Sequence, residues 1–212
     1  MKTKKINKNT LLAIIFGIYC ASIIIQNVLA TKTFDIGIFT VTTGILVSPI
    51  VFIIQDIASE IFGYKQTKRL ILLSFTMNFI AVLLFQLAII IPPSYTYMNQ
   101  AAFEVLLSST LRLSIASFTA YITGSLINSK IMVSLKRKNE KNLFFRAISS
   151  TLVGQFCDNA IFAVVAFLFI LPAPAIVSMI IGGTLFEVCY EIIFYPVTKK
   201  AIKTIESRID AK

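Results

Sequence analysis

The chain has 212 residues, of which 57% are apolar and only 14% are charged, whereas about a quarter are charged in a typical soluble domain. One soluble core of this size cannot bury so much apolar surface, so the composition predicts an all-α integral membrane protein. The formal net charge of +10 could suit nucleic-acid binding, but the positions of the basic residues, described below, exclude that interpretation.

Six apolar stretches are long enough to cross a bilayer, whose hydrocarbon core needs about 20 helical residues. They cover residues 11–30, 44–62, 68–91, 109–128, 147–171 and 175–198. The first follows a lysine-rich start but is longer than a usual secretory signal core, so we predict a span there. The loop at 31–43 alternates apolar and polar residues, which favours a short two-stranded hairpin over a disordered loop. We expect residues 1–212 to form a single six-helix bundle.

Basic residues cluster on one side of the predicted spans. With the N-terminus in the cytoplasm, 18 of the 20 Lys and Arg residues lie inside, and only Lys32 and Arg112 lie toward the outer face. The positive-inside rule therefore predicts a multi-pass plasma-membrane protein with both termini in the cytoplasm. These charges would contact anionic lipid headgroups, so we expect lipid, and not nucleic acid, as their partner.

Five acidic residues lie within the predicted spans: Asp56, Glu60, Asp158, Glu187 and Glu191. An acid at the centre of a lone inserting helix costs roughly 2.5–3.5 kcal/mol, so such residues normally face the bundle interior and mark a substrate or proton path. Glu60 is expected near the inner surface, where an ion pair with Lys65, Lys68 or Arg69 is favoured over a ligand role. Asp56 either supports a turn at Gly63 or forms, with Glu60, an inner gate or proton path.

The fifth predicted span carries the densest polar cluster, in which Gln155, Asp158 and Asn159 share one helix face. Hydrogen bonding between helices is the structural alternative, but three adjacent polar groups at mid-membrane exceed what packing needs. We therefore predict a substrate site between the fourth, fifth and sixth spans, with no catalytic residue, metal or cofactor. Its candidate residues are Gln26, Asn27, Arg112, Gln155, Asp158, Asn159, Glu187 and Glu191.

Small residues repeat every four positions in the first predicted span, at Ala13, Gly17 and Ala21. Such a stripe permits close approach of another helix, either within the protein or on a partner. Internal packing is the favoured interpretation.

Three segments taken together carry a family resemblance. They are Asp56-Ile-Ala-Ser-Glu-Ile-Phe-Gly-Tyr-Lys, Arg112-Leu-Ser-Ile-Ala-Ser-Phe-Thr-Ala-Tyr121 and Ser150-Thr-Leu-Val-Gly-Gln-Phe-Cys-Asp-Asn-Ala-Ile-Phe162. In this order, on six predicted spans, they resemble the queuosine-precursor transporter family, also called VUT-type vitamin-uptake-like transporters. The resemblance covers nearly the whole chain, from Asn27 to Pro196.

The resemblance implies import of a 7-deazaguanine base for tRNA modification: a cyano or aminomethyl precursor of queuosine, or queuine. It also implies a fold similar to the substrate-binding subunits of energy-coupling-factor vitamin importers. Family members often have Asp-Thr where this chain has Asp158-Asn159, which leaves the substrate variant open. The two N–H donors of a guanine edge suit a carboxylate, either Asp158 or Glu187. Gln155 and Asn159 would orient the ring, and Glu191 could pair with a cationic aminomethyl group.

Other functions remain open at this stage. Within the transporter class, the chain could be a vitamin-binding subunit that docks on a separate ATPase, although a homo-oligomer is favoured over such a partner. A structural membrane protein and an intramembrane hydrolase are distant alternatives. The chain has no histidine, no paired cysteine spacing and no Gly-Lys dipeptide, which excludes Ser-His catalysis, a His-based metal site and a phosphate-binding loop.

Overall fold

The computed structural model describes residues 7–36, 39–108, 111–138 and 140–208, without the side chains of residues 33, 35, 36, 39–42 and 111–114. Within these ranges the chain forms helices α1 (Lys8–Leu29), α2 (Ser48–Ile90), α3 (Gln100–Leu107), α4 (Leu111–Lys138), α5 (Leu143–Phe167) and α6 (Ala173–Glu206). Strands β1 (Thr33–Ile36) and β2 (Phe39–Thr42) pair in antiparallel register after α1, and a 3-10 turn leads into α2. The predicted hairpin is therefore confirmed, and it is a small addition to a helical fold.

Four of the described helices are long and apolar enough to cross a membrane: α1, α2, α5 and α6. Many of their large apolar side chains lie on the outside of the protein, for example Leu84, Leu87 and Ile90 of α2. A soluble monomer rarely exposes such extended apolar surface. These side chains suit a lipid environment, as the composition predicted.

Helix α2 contains both the predicted second and third spans, with a non-helical break between them at Gly63. Gly63 has φ 74° and ψ 172°, a conformation that glycine adopts without the clash that a Cβ would cause. The break divides α2 into a proximal arm, residues 48–62, and a distal arm, residues 64–90. The turn therefore lies where the sequence predicted it.

Contacts with α1 give the directions of the two arms. The proximal arm is antiparallel to α1, because Gln26 contacts Ser48 at 3.1 Å and Tyr19 contacts Gln55 at 2.9 Å. The distal arm is parallel to α1, because Cys20 contacts Ser74 at 3.1 Å and Asn27 contacts Asn78 at 2.8 Å. The two arms run in opposite directions, as two membrane passes would, while the number of six spans stays a prediction.

Helix α4 differs most from its predicted bounds. It ends at Lys138, well past the expected end at residue 128, and its last turn is basic. Cationic side chains are favourable at a helix C-terminus, which carries a partial negative charge. In addition, Lys136 contacts the carboxylate of Glu60 at 3.0 Å. The short helix α3 before it was not predicted.

The prediction that the small-residue stripe of α1 packs internally is wrong. Ala13, Gly17 and Ala21 are all exposed, and a Cβ added at Gly17 would meet nothing within 4 Å. The opposite face of α1 makes the core contacts instead, through the buried residues Ile15 and Tyr19.

Helices α4 and α5 are in very close contact at Gly124 and Gly154. A Cβ added at Gly124 would lie 2.7 Å from the Cβ of Asp158, and one added at Gly154 would lie 2.6 Å from the Cβ of Asn128. Each would also lie within 2.9 Å of the other glycine's carbonyl oxygen. The two backbones touch, which is the usual role of small residues between membrane helices. This contact fixes the position of Asp158 against α4.

We expect Gly154→Ala to destabilise the protein by about 1–3 kcal/mol, the typical cost of overpacking. The matched control is Gly17→Ala, whose added methyl group has open space. Thermal unfolding of the purified protein in detergent measures both. Equal melting temperatures for the two variants would contradict the close contact between α4 and α5.

Candidate functional site

A cavity of about 170 Å³ lies between α1, the distal arm of α2, α4 and α5. An apolar cavity of about 150 Å³ is large enough to hold benzene, so this one suits a small flat ring system. Polar groups line part of it: Gln26, Asn27, Asn78, Ser117, Asp158 and Asn159. Asn27 and Ser117 are exposed, and the cavity reaches the protein surface beside them.

Asp158 supplies the carboxylate of the cavity. The Gly124 contact holds its Cα and Cβ, while its side chain lines the cavity. Among the described residues, no side chain donates a hydrogen bond to this carboxylate within the cavity. Both oxygens can therefore accept hydrogen bonds from a ligand.

Asn78, on the distal arm of α2, is a functional candidate that the sequence analysis missed. Its side chain is 1% exposed, and its Oδ1 accepts a hydrogen bond of 2.8 Å from Asn27 Nδ2. Its own Nδ2 has no partner within the described part of the chain. A buried unsatisfied donor costs about 1–3 kcal/mol, so this amide calls for an acceptor on a ligand or a water. The sequence feature that could have identified Asn78 is its polar amide, which lies one helical turn after Ser74 in an otherwise apolar span.

Aromatic rings form the rest of the lining. The Phe75 ring lies 5.7 Å from that of Phe118 and 5.1 Å from that of Tyr121, measured between centroids. Phe162 lines the cavity from α5. These rings provide apolar faces for a flat ligand next to the amide and carboxylate groups.

Asn159 joins the cavity to α6. Its Nδ2 donates to Glu187 Oε2 at 2.8 Å, and its Oδ1 packs so closely on Gly183 that an added Cβ there would lie 2.6 Å away. Glu187 thus holds Asn159 and does not itself line the cavity. Within the described residues α6 contributes nothing to the lining, so this cavity lies between α1, α2, α4 and α5, and not between the fourth, fifth and sixth spans where the site was predicted.

Other predicted site residues lie elsewhere. Gln155 lines a second, much smaller space of about 10 Å³, which shares Tyr121 and Asp158 with the main cavity. The side chain of Arg112 lies outside the described part of the structure, although its backbone belongs to the first turn of α4. The structure brings together only Gln26, Asn27, Asp158 and Asn159 of the predicted set in the main cavity.

Two hydrogen-bonded layers separate the cavity from the end of the bundle where α1 begins. Tyr19 donates its only hydroxyl proton to Gln55 at 2.9 Å. Tyr121 is therefore the donor in the hydrogen bond of 2.8 Å between the two tyrosine hydroxyls. Further along the proximal arm, Ser59 donates to Ser129 at 3.2 Å. These bonds connect α1, α2 and α4 beneath the cavity.

A third layer is a buried ion pair. Arg146 of α5 binds both carboxylate oxygens of Glu60, at 2.5 and 3.0 Å, and Lys136 adds a contact of 3.0 Å. The Arg146 side chain is 1% exposed. An ion pair of Glu60 was expected, but its partners are not the predicted Lys65, Lys68 and Arg69, which remain exposed. Arg146 is one of the 18 basic residues that were placed on the cytoplasmic side, just before the predicted span at 147–171, and so its role in a buried ion pair was missed.

Asp56 and Glu191 lie together, away from the cavity. Asp56 on the proximal arm of α2 is 2% exposed and Glu191 on α6 is 3% exposed, and their carboxyl groups are within hydrogen-bonding reach. Glu191 was predicted to be a substrate ligand, but it is not part of the cavity lining.

We expect Arg146→Met to destabilise the protein by about 3–5 kcal/mol, because it leaves the carboxylate of Glu60 buried without its main partner. Lys136→Met is the control, because its side chain is 27% exposed and the bidentate pair survives its loss. Thermal unfolding in detergent measures both. If the Lys136 variant loses as much stability as the Arg146 variant, the buried pair is not the main contact at this end.

A helical membrane protein with an internal polar cavity, closed at one end by hydrogen-bonded layers, belongs to the class of membrane transporters. The sequence comparisons agree with this class. Residues 42–201 match the family model described as "Putative vitamin uptake transporter", and the chain belongs to this family.

Two curated relatives carry the name "Probable queuosine precursor transporter". The protein from Bacillus subtilis strain 168 is 25% identical over 192 residues, which are 90% of this chain and 82% of the relative. The protein from Haemophilus influenzae is 28% identical over 132 residues, which are 61% of this chain and 53% of the relative. No solved structure matches the chain.

Proposed function

We propose that this protein imports a 7-deazaguanine base across the plasma membrane, to supply tRNA modification. Membership of the vitamin uptake transporter family supports transport, and the names of the two relatives support the substrate class. The observation that carries the proposal is that one aromatic cavity contains two complementary groups. The carboxylate of Asp158 can accept hydrogen bonds from a ligand, and the buried amide of Asn78 can donate one.

The chemistry of a guanine edge matches these two groups. Its ring N–H and exocyclic amine are adjacent donors, which Asp158 accepts as a charge-assisted pair. The neighbouring ring carbonyl accepts from Asn78 Nδ2, which has no partner of its own among the described residues. Phe75, Phe118 and Tyr121 contact the ring faces. The cavity volume of about 170 Å³ favours a base over a larger nucleoside.

The remaining predicted site residues take supporting roles in this proposal. Gln26 and Asn27 line the outer entrance, for which Arg112 stays a prediction from the sequence, and Gln155 lies below the base. Glu187 holds Asn159 in place through the hydrogen bond of 2.8 Å. For an aminomethyl substrate, Glu187 is also the nearest additional carboxylate, in place of Glu191.

The closed layers support import as the direction of transport. The tyrosine, serine and ion-pair layers lie between the cavity and the end that carries the basic residues, which we assign to the cytoplasm. In this arrangement the base enters from outside, and the three layers act as an inner gate that includes Glu60. Import then requires these contacts to separate and re-form.

The proposed orientation has both termini in the cytoplasm, with six spans. Reporter fusions after Lys138 and Lys203 are expected to read cytoplasmic, because basic loops are retained inside. A fusion at Tyr97, between α2 and α3, is expected to read external. A cytoplasmic reading at Tyr97 would reverse the orientation and the direction of import.

Asp158→Asn should weaken binding of 7-cyano-7-deazaguanine by about 10- to 150-fold, because it removes a charge-assisted acceptor worth roughly 1.5–3 kcal/mol. The exchange nearly preserves side-chain volume, so the protein should remain folded. Equilibrium binding of the radiolabelled base to the purified protein measures the effect. Glu206→Gln is the control, because Glu206 is exposed at the end of α6. Wild-type affinity in the Asp158 variant would assign this carboxylate a structural role.

One observation favours a second candidate, a substrate-binding subunit that docks on a separate ATPase. The exposed stripe of Ala13, Gly17 and Ala21 would allow a partner helix to approach closely. Uptake by proteoliposomes that contain only the purified protein separates the two candidates. Accumulation without ATP identifies a self-sufficient carrier, whereas binding without uptake identifies a subunit.

A further inference from the structure

The carboxyl pair Asp56 and Glu191 has no place in the substrate cavity. Both side chains are at most 3% exposed, and their carboxyl groups are within hydrogen-bonding reach of each other. Asp56 Oδ2 and Glu191 Oε1 are buried and have no partner among the described residues. Two acids on different helices therefore lie together, and no cation of the described residues forms an ion pair with either of them.

Two ionised carboxylates cannot form a hydrogen bond, because each can only accept. Two like charges held this close in a buried site also repel each other strongly. The contact becomes favourable when one proton lies between the two groups. The pair therefore has the chemistry of a binding site for a single proton.

The nearby cations are already occupied. Arg146 binds both carboxylate oxygens of Glu60, and Lys136 binds the same group. Arg146 is nevertheless close enough to act electrostatically on Asp56, and its buried Nε–H has no partner in the described part of the chain. Among the described residues, Glu60 on the same helix and Arg146 of α5 act electrostatically on Asp56. Lys136 of α4 binds Glu60, Tyr195 of α6 lies near Arg146, and Tyr19 of α1 bonds to the neighbouring Gln55.

We propose that Asp56 and Glu191 together bind one proton that is transported with the substrate. The inference rests on the proposed transport function but not on the identity of the base. One proton joins the pair from the cavity side while the ion-pair layer is closed, and the same proton leaves to the cytoplasm when that layer opens. Arg146 then neutralises the exposed charge, because its free Nε–H can turn toward Asp56 as Glu60 separates.

The position of the pair explains how the proton and the substrate are coupled. On α6, Glu191 is four residues after Glu187, a rise of about 6 Å along the helix. Glu187 binds Asn159 at the cavity, so one helix contacts both sites. The proximal arm of α2 carries Asp56 between Gln55 and Glu60, which belong to the tyrosine layer and the ion-pair layer. A change in the charge of the pair therefore acts on the elements that hold both the cavity and the gate.

Infrared spectroscopy tests the shared proton without any substrate. At neutral pH the wild-type protein should show a carbonyl-stretch band of a protonated carboxyl group, and this band should shift or disappear in both Asp56→Asn and Glu191→Gln. The band should persist in the control Glu206→Gln, whose side chain is exposed. A band that is absent from the wild type, or unchanged in both variants, overturns the proposal.

Proteoliposomes test the coupling. A pH gradient, acidic outside, should drive accumulation of radiolabelled 7-cyano-7-deazaguanine by the wild type. In Asp56→Asn and Glu191→Gln, accumulation should fall to the equilibrium level while exchange of internal for external base continues, which shows that the variants are folded. Gradient-driven accumulation equal to wild type in both variants overturns the coupling. If the wild type binds no deazaguanine, the proposed substrate fails, and the infrared result still decides whether the pair holds a proton.

Discussion

The low polarity of the bilayer is the constraint on which this structure depends, because every charge placed within it needs a partner or a proton. The chain meets this requirement differently at three levels. At the inner end, Glu60 is neutralised by Arg146 and Lys136. One turn earlier, Asp56 faces Glu191, and no cation of the described residues is in direct contact with the pair. At the cavity, Asp158 remains open to a ligand. The three carboxylate environments therefore suggest three tasks: closing the gate, binding a proton and binding the substrate.

Helix α5 connects these levels. Arg146 lies near its beginning, Gly154 touches α4 in its middle, and Asp158 and Asn159 follow one turn later. Because Arg146, Gly154 and Asp158 all lie on α5, a movement of this helix at its contact with α4 also moves Asp158 and Arg146. We expect gate opening and substrate release to be linked mechanically through this helix.

The sequence predicted the class and much of the local structure, because these depend on composition and short-range pattern. The apolar stretches, the turn at Gly63 and the hairpin at 33–42 are properties of neighbouring residues. Polar residues within apolar spans also marked Asp158, Asn159, Gln26 and Asn27, which the fold gathers in one cavity. The cost of placing such groups in lipid identifies them without knowledge of their partners.

What only the tertiary structure decided is which distant residues meet. Asn78 was overlooked because a single amide is tolerated in an apolar span, and only its contact with Asn27 places it at the cavity. Arg146 was assigned to the cytoplasmic side, since nothing local indicates that it reaches Glu60, which precedes it by 86 residues. The sequence also could not distinguish Gly17 from Gly154, because both are small residues in apolar helices. Whether a glycine faces lipid or another backbone is fixed by the rotation and crossing of whole helices, which depends on packing summed over the entire bundle.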